Sequence, residues 1–238
     1  MIQATVRASI GRADALQLVA LLGRHDREIL DAARARLEDE GVDALLDDPR
    51  VLNALLTECD VTVRPEVIFY VLVRQVLLEA GVQDRTTADY VASLVLRFGQ
   101  GRRAYRVSSD AEEEYRYLVD MVARLSESGG REAFLLNTHM GDYALWLTGL
   151  FPDFVESRTR RRGAPPVRYY ETVGSTGYRT AAESREAERL GMDRVLKGVA
   201  RHFSGARAAL NTMADRHLWP GGGDPVGRLL REVTGRAR

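Results

Sequence analysis

Two segments of the chain, 65–80 and 131–150, carry little charge, although 29% of its 238 residues are charged. A helix that is apolar on almost every side has to be enclosed by the rest of the fold, so both segments predict central helices. The longest strongly apolar run, 67–73, ends at Arg74. That run is far shorter than the ~20 residues of a membrane-spanning helix. We therefore expect a core built around two buried helices and no contact with a membrane.

Nearly every other segment also follows a helical rather than an alternating period. Glycine or proline stands where predicted helices begin or end, as at Gly41, Pro65 and Gly81. The sequence therefore predicts an all-α protein with about nine or ten helices and no strand. The predicted helices are 13–23 and 25–40 (interrupted or only weakened at Gly23), 43–57 (either continuous or broken near Asp48-Pro49), 65–80, 86–98, 110–127, 131–150, 167–189, 192–203, 205–217 and 224–234.

The predicted domain organisation is one multi-helical globular domain over residues 1–238, since this length suffices for a large core. Residues 1–60 leave open an N-terminal helical subdomain. The last predicted helix, 224–234, follows a glycine-rich linker at 219–223.

Composition narrows the function classes. The 34 basic residues balance 34 acidic ones, which argues against a generic polyanion binder. All the basic residues except Lys197 are arginine, a bias that codon usage in a genome rich in G and C explains. Cys59 is the only cysteine and the N-terminus lacks the layout of a signal peptide, so we expect a soluble protein of the reducing cytoplasm.

A polar and aromatic stripe interrupts the otherwise apolar segment 131–150. His139, Asp142, Tyr143 and Trp146 are spaced three and four residues apart, so they share one helix face. A buried histidine and carboxylate need partners. One interpretation is a structural network in which Asp142 accepts a hydrogen bond from an arginine or a tyrosine hydroxyl elsewhere in the core. The other is a ligand pocket in which His139 is a base or ligand and Asp142 orients it.

A second candidate group lies in the predicted helix 167–189. Tyr170, Gly174, Gly177 and Tyr178 fall on one helical face, and Glu171 stands beside them. Glycines inside a helix are tolerated where another helix approaches closely or where space beside the backbone is needed. The pattern therefore predicts either tight packing against a neighbouring helix or a pocket lined by Tyr170, Tyr178 and Glu171.

These two segments together resemble an uncharacterised bacterial family of helical proteins. The resemblance covers about forty residues. It implies that the two helices pack against each other as one unit, and it implies no known activity, substrate or cofactor. The matching residues are Gly141-Asp142, Leu145, Gly149 and Phe151-Pro152, followed by Tyr169-Tyr170, Gly174 and Tyr178.

The strongest local run of charge is an arginine cluster expected in a loop after Pro152. It is either solvated or binds phosphate groups or an acidic partner. Because no helix-turn-helix spacing or zinc-finger signature accompanies it, nucleic acid is not an expected ligand. The cluster consists of Arg158, Arg160, Arg161 and Arg162.

The sequence identifies no cofactor and predicts no metal site. It contains no His-Glu-x-x-His, and none of its four histidines follows a glutamate by three residues.

Two functional hypotheses remain. The first, which we favour, is a soluble interaction or regulatory protein that forms a homodimer or binds another partner. The second is a small-molecule-binding protein or enzyme with a pocket between helices 131–150 and 167–189. The small-molecule hypothesis requires His139 and the tyrosines to face a common concave space. The interaction hypothesis requires the same residues to be packed against other side chains, with no space between them.

Overall fold

The computed structural model describes residues 4–57, 63–98 and 118–218, and over these ranges it contains fourteen α-helices, one π-helical turn and no strand. The all-α prediction is confirmed. The helices are α1 Val6–Ser9, α2 Arg12–Leu22, α3 Arg27–Glu40, α4 Val42–Leu46, α5 Pro49–Thr57, α6 Pro65–Glu79, α7 Arg85–Phe98, α8 Leu118–Leu125, α9 Gly130–Leu150, α10 Pro152–Arg162, α11 Val167–Ala182, α12 Arg185–Arg189, α13 Asp193–Arg201 and α14 Phe203–Met213, followed by the π-helical turn Ala214–Leu218.

The helices are shorter and more numerous than predicted because local caps divide them. The predicted helix 43–57 is two helices, and Asp48 between them accepts a hydrogen bond from the Arg50 amide at 2.9 Å. The predicted helix 167–189 ends at Ala182, and the Ser184 hydroxyl then caps α12 by accepting from the Ala187 amide at 3.1 Å. Side chains that bond to nearby backbone favour such breaks.

The predicted loop after Pro152 is wrong: residues 152–162 form α10. Pro152 occupies its first turn, where the missing amide hydrogen costs nothing. Gly163 ends the helix in the left-handed conformation, with φ of 62°. The arginine cluster therefore lies along one turn and a half of helix rather than on an irregular segment.

The two segments with little charge are interior helices, as predicted. In α6, Val67, Tyr70, Val71, Val73 and Leu77 have no exposed surface. The helix packs against α7, α14, α5 and α1. α9 is buried from residue 136 to 150 and packs against α11, α14, α8, α10, α12 and α7. Full burial of one aliphatic side chain contributes about 1.5–3 kcal/mol, so these two helices organise the core.

α9 and α11 approach each other closely because glycine faces the partner helix on both sides. A Cβ atom added at Gly174 would lie 2.7 Å from the Ala144 Cβ, and one at Gly177 would lie 2.7 Å from the Asn137 carbonyl oxygen. At Gly141 of α9 the added atom would lie 2.6 Å from the Tyr178 ring. The tight-packing interpretation of the glycine pattern is confirmed.

Some predictions are outside the described residues or stay predictions. Cys59, the start of the predicted helix 110–127 and the C-terminal helix 224–234 lie outside the described ranges. The single domain over 1–238 and the N-terminal subdomain 1–60 stay predictions. None of the described helices combines the length and the apolar character that crossing a membrane requires.

Candidate functional site

Asp142 of α9 is the centre of a buried polar network. One of its oxygens, Oδ1, accepts hydrogen bonds from the Tyr90 hydroxyl at 2.6 Å and from the Tyr178 hydroxyl at 2.9 Å. Tyr90 belongs to α7 and Tyr178 to α11, so a single oxygen atom joins three helices. The two tyrosine rings also meet edge to face, with their centroids 5.8 Å apart. This arrangement matches the structural-network interpretation of Asp142.

Burial sets the charge of this network. Loss of solvent raises the pKa of Asp142 to about 6, although the two tyrosine hydrogen bonds act in the opposite direction. Burial also raises the pKa of Tyr90 and of Tyr178 well above the usual value of a tyrosine. At neutral pH both hydroxyls therefore stay protonated and donate to a carboxylate that is mostly ionised.

His139 lies one turn before Asp142 but has a different environment. Its ring packs against Phe98 of α7, with the centroids 5.9 Å apart, and only 3% of the residue is exposed. Burial lowers the pKa of His139 to about 3, so the imidazole is neutral at physiological pH. Within the described residues its Nε2 atom has no hydrogen-bond partner, and Asp142 bonds to tyrosines instead. These contacts do not support the interpretation in which Asp142 orients His139.

Tyr143 and Tyr170 face a cavity that is separate from the Asp142 network. The cavity has a volume of about 80 Å³ and lies among α8, α9, α10 and α11. Leu147 and Arg158 also line it. Sites for metabolite-sized ligands measure about 300–1,000 Å³, so this space suits a side chain or waters better than a metabolite.

Glu171 does not face this cavity. Its Oε1 accepts from Arg207 Nε at 2.6 Å, and Arg207 Nη1 donates to Asn211 Oδ1 at 2.7 Å. The Asn211 amide in turn donates to the carbonyl oxygens of Thr148 and Gly149 at 2.9 and 2.5 Å. Glu171 therefore fixes α11 to α14 and to the C-terminal end of α9, and the predicted pocket of Tyr170, Glu171 and Tyr178 is not formed.

The arginine cluster lies on α10 next to the cavity. The Arg158 guanidinium carbon stands 5.5 Å from the centroid of the Phe154 ring, one turn earlier on the same helix. Arg160, Arg161 and Arg162 are exposed in the last turn. None of these three forms an ion pair with a carboxylate in the described ranges.

Exposed apolar residues surround the opening of the cavity. Val119 is 63% exposed, Tyr169 37% and Phe154 36%, and all three line the cavity. Val122, one turn after Val119 on α8, is also exposed. We define the α8–α10–α11 surface as these four residues with the neighbouring arginines Arg158, Arg160, Arg161, Arg162 and Arg168.

The sequence did not single out Tyr90 or Phe154. Tyr90 is one aromatic residue in an ordinary helical pattern, and no local spacing connects it with Asp142, 52 residues later. Phe154 could have been found from its four-residue spacing to Arg158 between Pro152 and Gly163, which are typical start and stop residues of a helix.

The described ranges contain no group of three or more His, Cys, Asp or Glu residues arranged to hold a metal ion. Comparisons of the chain with protein-family models, with curated proteins and with solved structures found no match. The resemblance to an uncharacterised bacterial family stays a prediction.

Proposed function

We propose that the protein is an interaction or regulatory protein and that a partner protein binds to its α8–α10–α11 surface. The observation that carries this proposal is the group of exposed apolar side chains around a recess, bordered by arginines. Protein interfaces are enriched in aromatic residues and arginine, and an exposed apolar patch costs free energy unless something covers it. The cytoplasm is the expected location, since the chain has one cysteine.

The small-molecule alternative has less support. Its central residues serve packing: Asp142 is held by two tyrosines, and the glycines of α11 contact α9 directly. His139 is neutral and buried, so it is poorly suited to proton transfer near pH 7. The cavity beside Tyr143 and Tyr170 is too small for most metabolites.

Site-specific photo-cross-linking tests the proposal. A photoreactive phenylalanine analogue replaces Phe154 in the full chain, and in a matched control it replaces Leu16 of α2, which is 44% exposed and lies outside the proposed surface. We expect a discrete protein adduct from position 154 and none from position 16 in the cells that make the protein. An adduct of twice the chain's mass identifies a second copy as the partner, in agreement with the predicted homodimer. Absence of a specific adduct at position 154 would overturn the proposal.

A further inference from the structure

We infer that the partner segment is an acidic amphipathic helix of another protein, with apolar side chains at the Phe154 end of the surface and carboxylates at the Arg160–Arg162 end. This inference rests on the proposed function and names the chemistry of the partner. It follows from the charge on α10 and α11, from the two recesses beside them, and from the distance between the apolar and charged parts.

Ion pairing distinguishes the last turn of α10 from several other parts of the chain. Some arginines of the described chain are neutralised by carboxylates, as in Arg7–Asp43 at 2.7 Å and Arg74–Asp47 at 2.6 Å, whereas exposed arginines such as Arg12 and Arg194 stand singly. Residues 160–168 instead contain four arginines and no carboxylate. Within the described ranges no carboxylate pairs with the exposed arginines Arg160, Arg161, Arg162 and Arg168. An acidic partner is the complement of this excess.

The partial charges at the helix ends explain the positions of only some of these arginines. The C-terminal end of α10 carries partial negative charge, which favours Arg160–Arg162 there. Arg168 is the second residue of α11, where the helix end is positive and the first turn has no acidic side chain. An arginine at that position is unfavourable for the isolated chain. It becomes favourable when a partner places a carboxylate nearby.

The surface is not flat: it has two recesses that can accommodate side chains of a partner. The cavity of about 80 Å³ opens beside Phe154. An open groove of about 410 Å³ lies on the other side of α10, where Arg160, Val167, Arg168 and the carboxylate of Glu156 line it. Helix-in-groove recognition places the protruding side chains of a helix into such concave features.

The distance between Phe154 and the arginines defines the sequence pattern that a partner helix needs. Phe154 and Arg160–Arg162 are six to eight residues apart on one helix. At 1.5 Å per residue they are therefore separated by about 9–12 Å. Two turns of a partner helix cover about the same distance, so apolar residues at i and i+4 and carboxylates at i+7, i+8 and i+11 match the surface.

The test uses the purified full chain and a labelled synthetic peptide of about 14 residues with that pattern. Fluorescence anisotropy measures its Kd, and a scrambled peptide of identical composition is the control. We expect binding that is about tenfold weaker for the scrambled peptide and that weakens between about 50 and 300 mM NaCl.

Two charge-matched variants locate the binding. The first changes Arg160, Arg161, Arg162 and Arg168 to glutamine. The second makes the same change at four exposed arginines on other helices: Arg12, Arg34, Arg185 and Arg194. We expect the first variant to lose about tenfold or more in affinity and most of the salt dependence, and the second to bind like the unmodified chain. Circular dichroism confirms that both fold.

Three results would overturn the inference: no peptide binding, equal binding of the scrambled peptide, or equal losses in the two variants. Sedimentation with vesicles of phosphatidylserine and phosphatidylcholine tests a lipid surface directly. Vesicle binding through Arg160–Arg162 and Arg168 without peptide binding would assign the surface to lipid instead. If the peptide fails while the adduct at position 154 persists, the proposed function stands and only the acidic chemistry is wrong.

Discussion

The buried carboxylate of Asp142 makes a specific prediction about stability and pH. Its pKa is raised from 3.8 to about 6 in the folded protein because burial disfavours the charge. Well below pH 3.8 the carboxyl is protonated in both the folded and the unfolded state. Between pH 3.8 and about 6 the unfolded chain has mostly released this proton while the folded protein mostly retains it. The contribution of Asp142 to stability is therefore present at low pH and lost as the pH rises through 6.

The magnitude follows from the size of the shift. The difference between 3.8 and about 6 is roughly two pH units, and each unit corresponds to about 1.4 kcal/mol. The ionised carboxylate therefore lowers the free energy of unfolding by about 3 kcal/mol above pH 6 relative to a pH well below 3.8. Asp142→Asn keeps a carbonyl oxygen for the two tyrosine hydroxyls and removes the titration.

Urea unfolding followed by circular dichroism measures this effect. We expect the stability of Asp142→Asn relative to the unmodified chain to rise by about 2 kcal/mol between pH 4 and 7, because part of the effect is already present at pH 4. Any pH-independent effect of the amide cancels in this comparison. Tyr178→Phe removes one hydrogen-bond donor to the carboxylate. In that variant we therefore expect the pKa of Asp142, and with it the pH at which stability is lost, to be higher. A stability difference that stays constant from pH 4 to 7 would refute the reasoning.

Two further predictions concern packing and ion pairs. Gly177→Ala places a Cβ atom 2.7 Å from a backbone oxygen of α9, and we expect it to cost about 1–3 kcal/mol in urea unfolding. Gly11→Ala, whose added Cβ meets nothing within 4 Å, is the control, and equal losses would contradict the packing argument. Asp47→Ala leaves the Arg74 guanidinium, 3% exposed, without its carboxylate and should cost about 3 kcal/mol. Glu79→Ala breaks the ion pair with Arg216, in which both side chains are more than half exposed, and should change the melting temperature little; a larger loss there than at Asp47 would be inconsistent with this account.

The parts of the fold that depend on local sequence were predictable. Gly41 and Gly81 end helices with φ of 82° and 78°, a conformation that favours glycine. The interior position of α6 and α9 follows from their low charge, and the tight packing of α11 against a neighbouring helix follows from the glycine spacing. Each of these features is encoded within about 20 consecutive residues.

The site depended on pairings that no local pattern encodes. Glu171 stands beside Tyr170 in sequence, yet its partner is Arg207, 36 residues later. This ion pair turns the glutamate away from the predicted pocket. The sequence predicts a loop at 152–162 because its four arginines outnumber its apolar residues. In the structure Val155, which is 2% exposed, packs the helix onto the protein, whereas Phe154 stays exposed. A single buried apolar side chain gives too little periodicity to indicate a helix.

The shared oxygen of Asp142 also constrains how this protein can evolve. Replacing the aspartate alone with an apolar residue removes the acceptor of two buried hydroxyls, and replacing either tyrosine alone removes a donor from a buried charge. Each single step is unfavourable, whereas the joint loss of all three polar groups is not. Positions 90, 142 and 178 should therefore vary together among homologous chains, as Tyr-Asp-Tyr or as three apolar residues, with few intermediates.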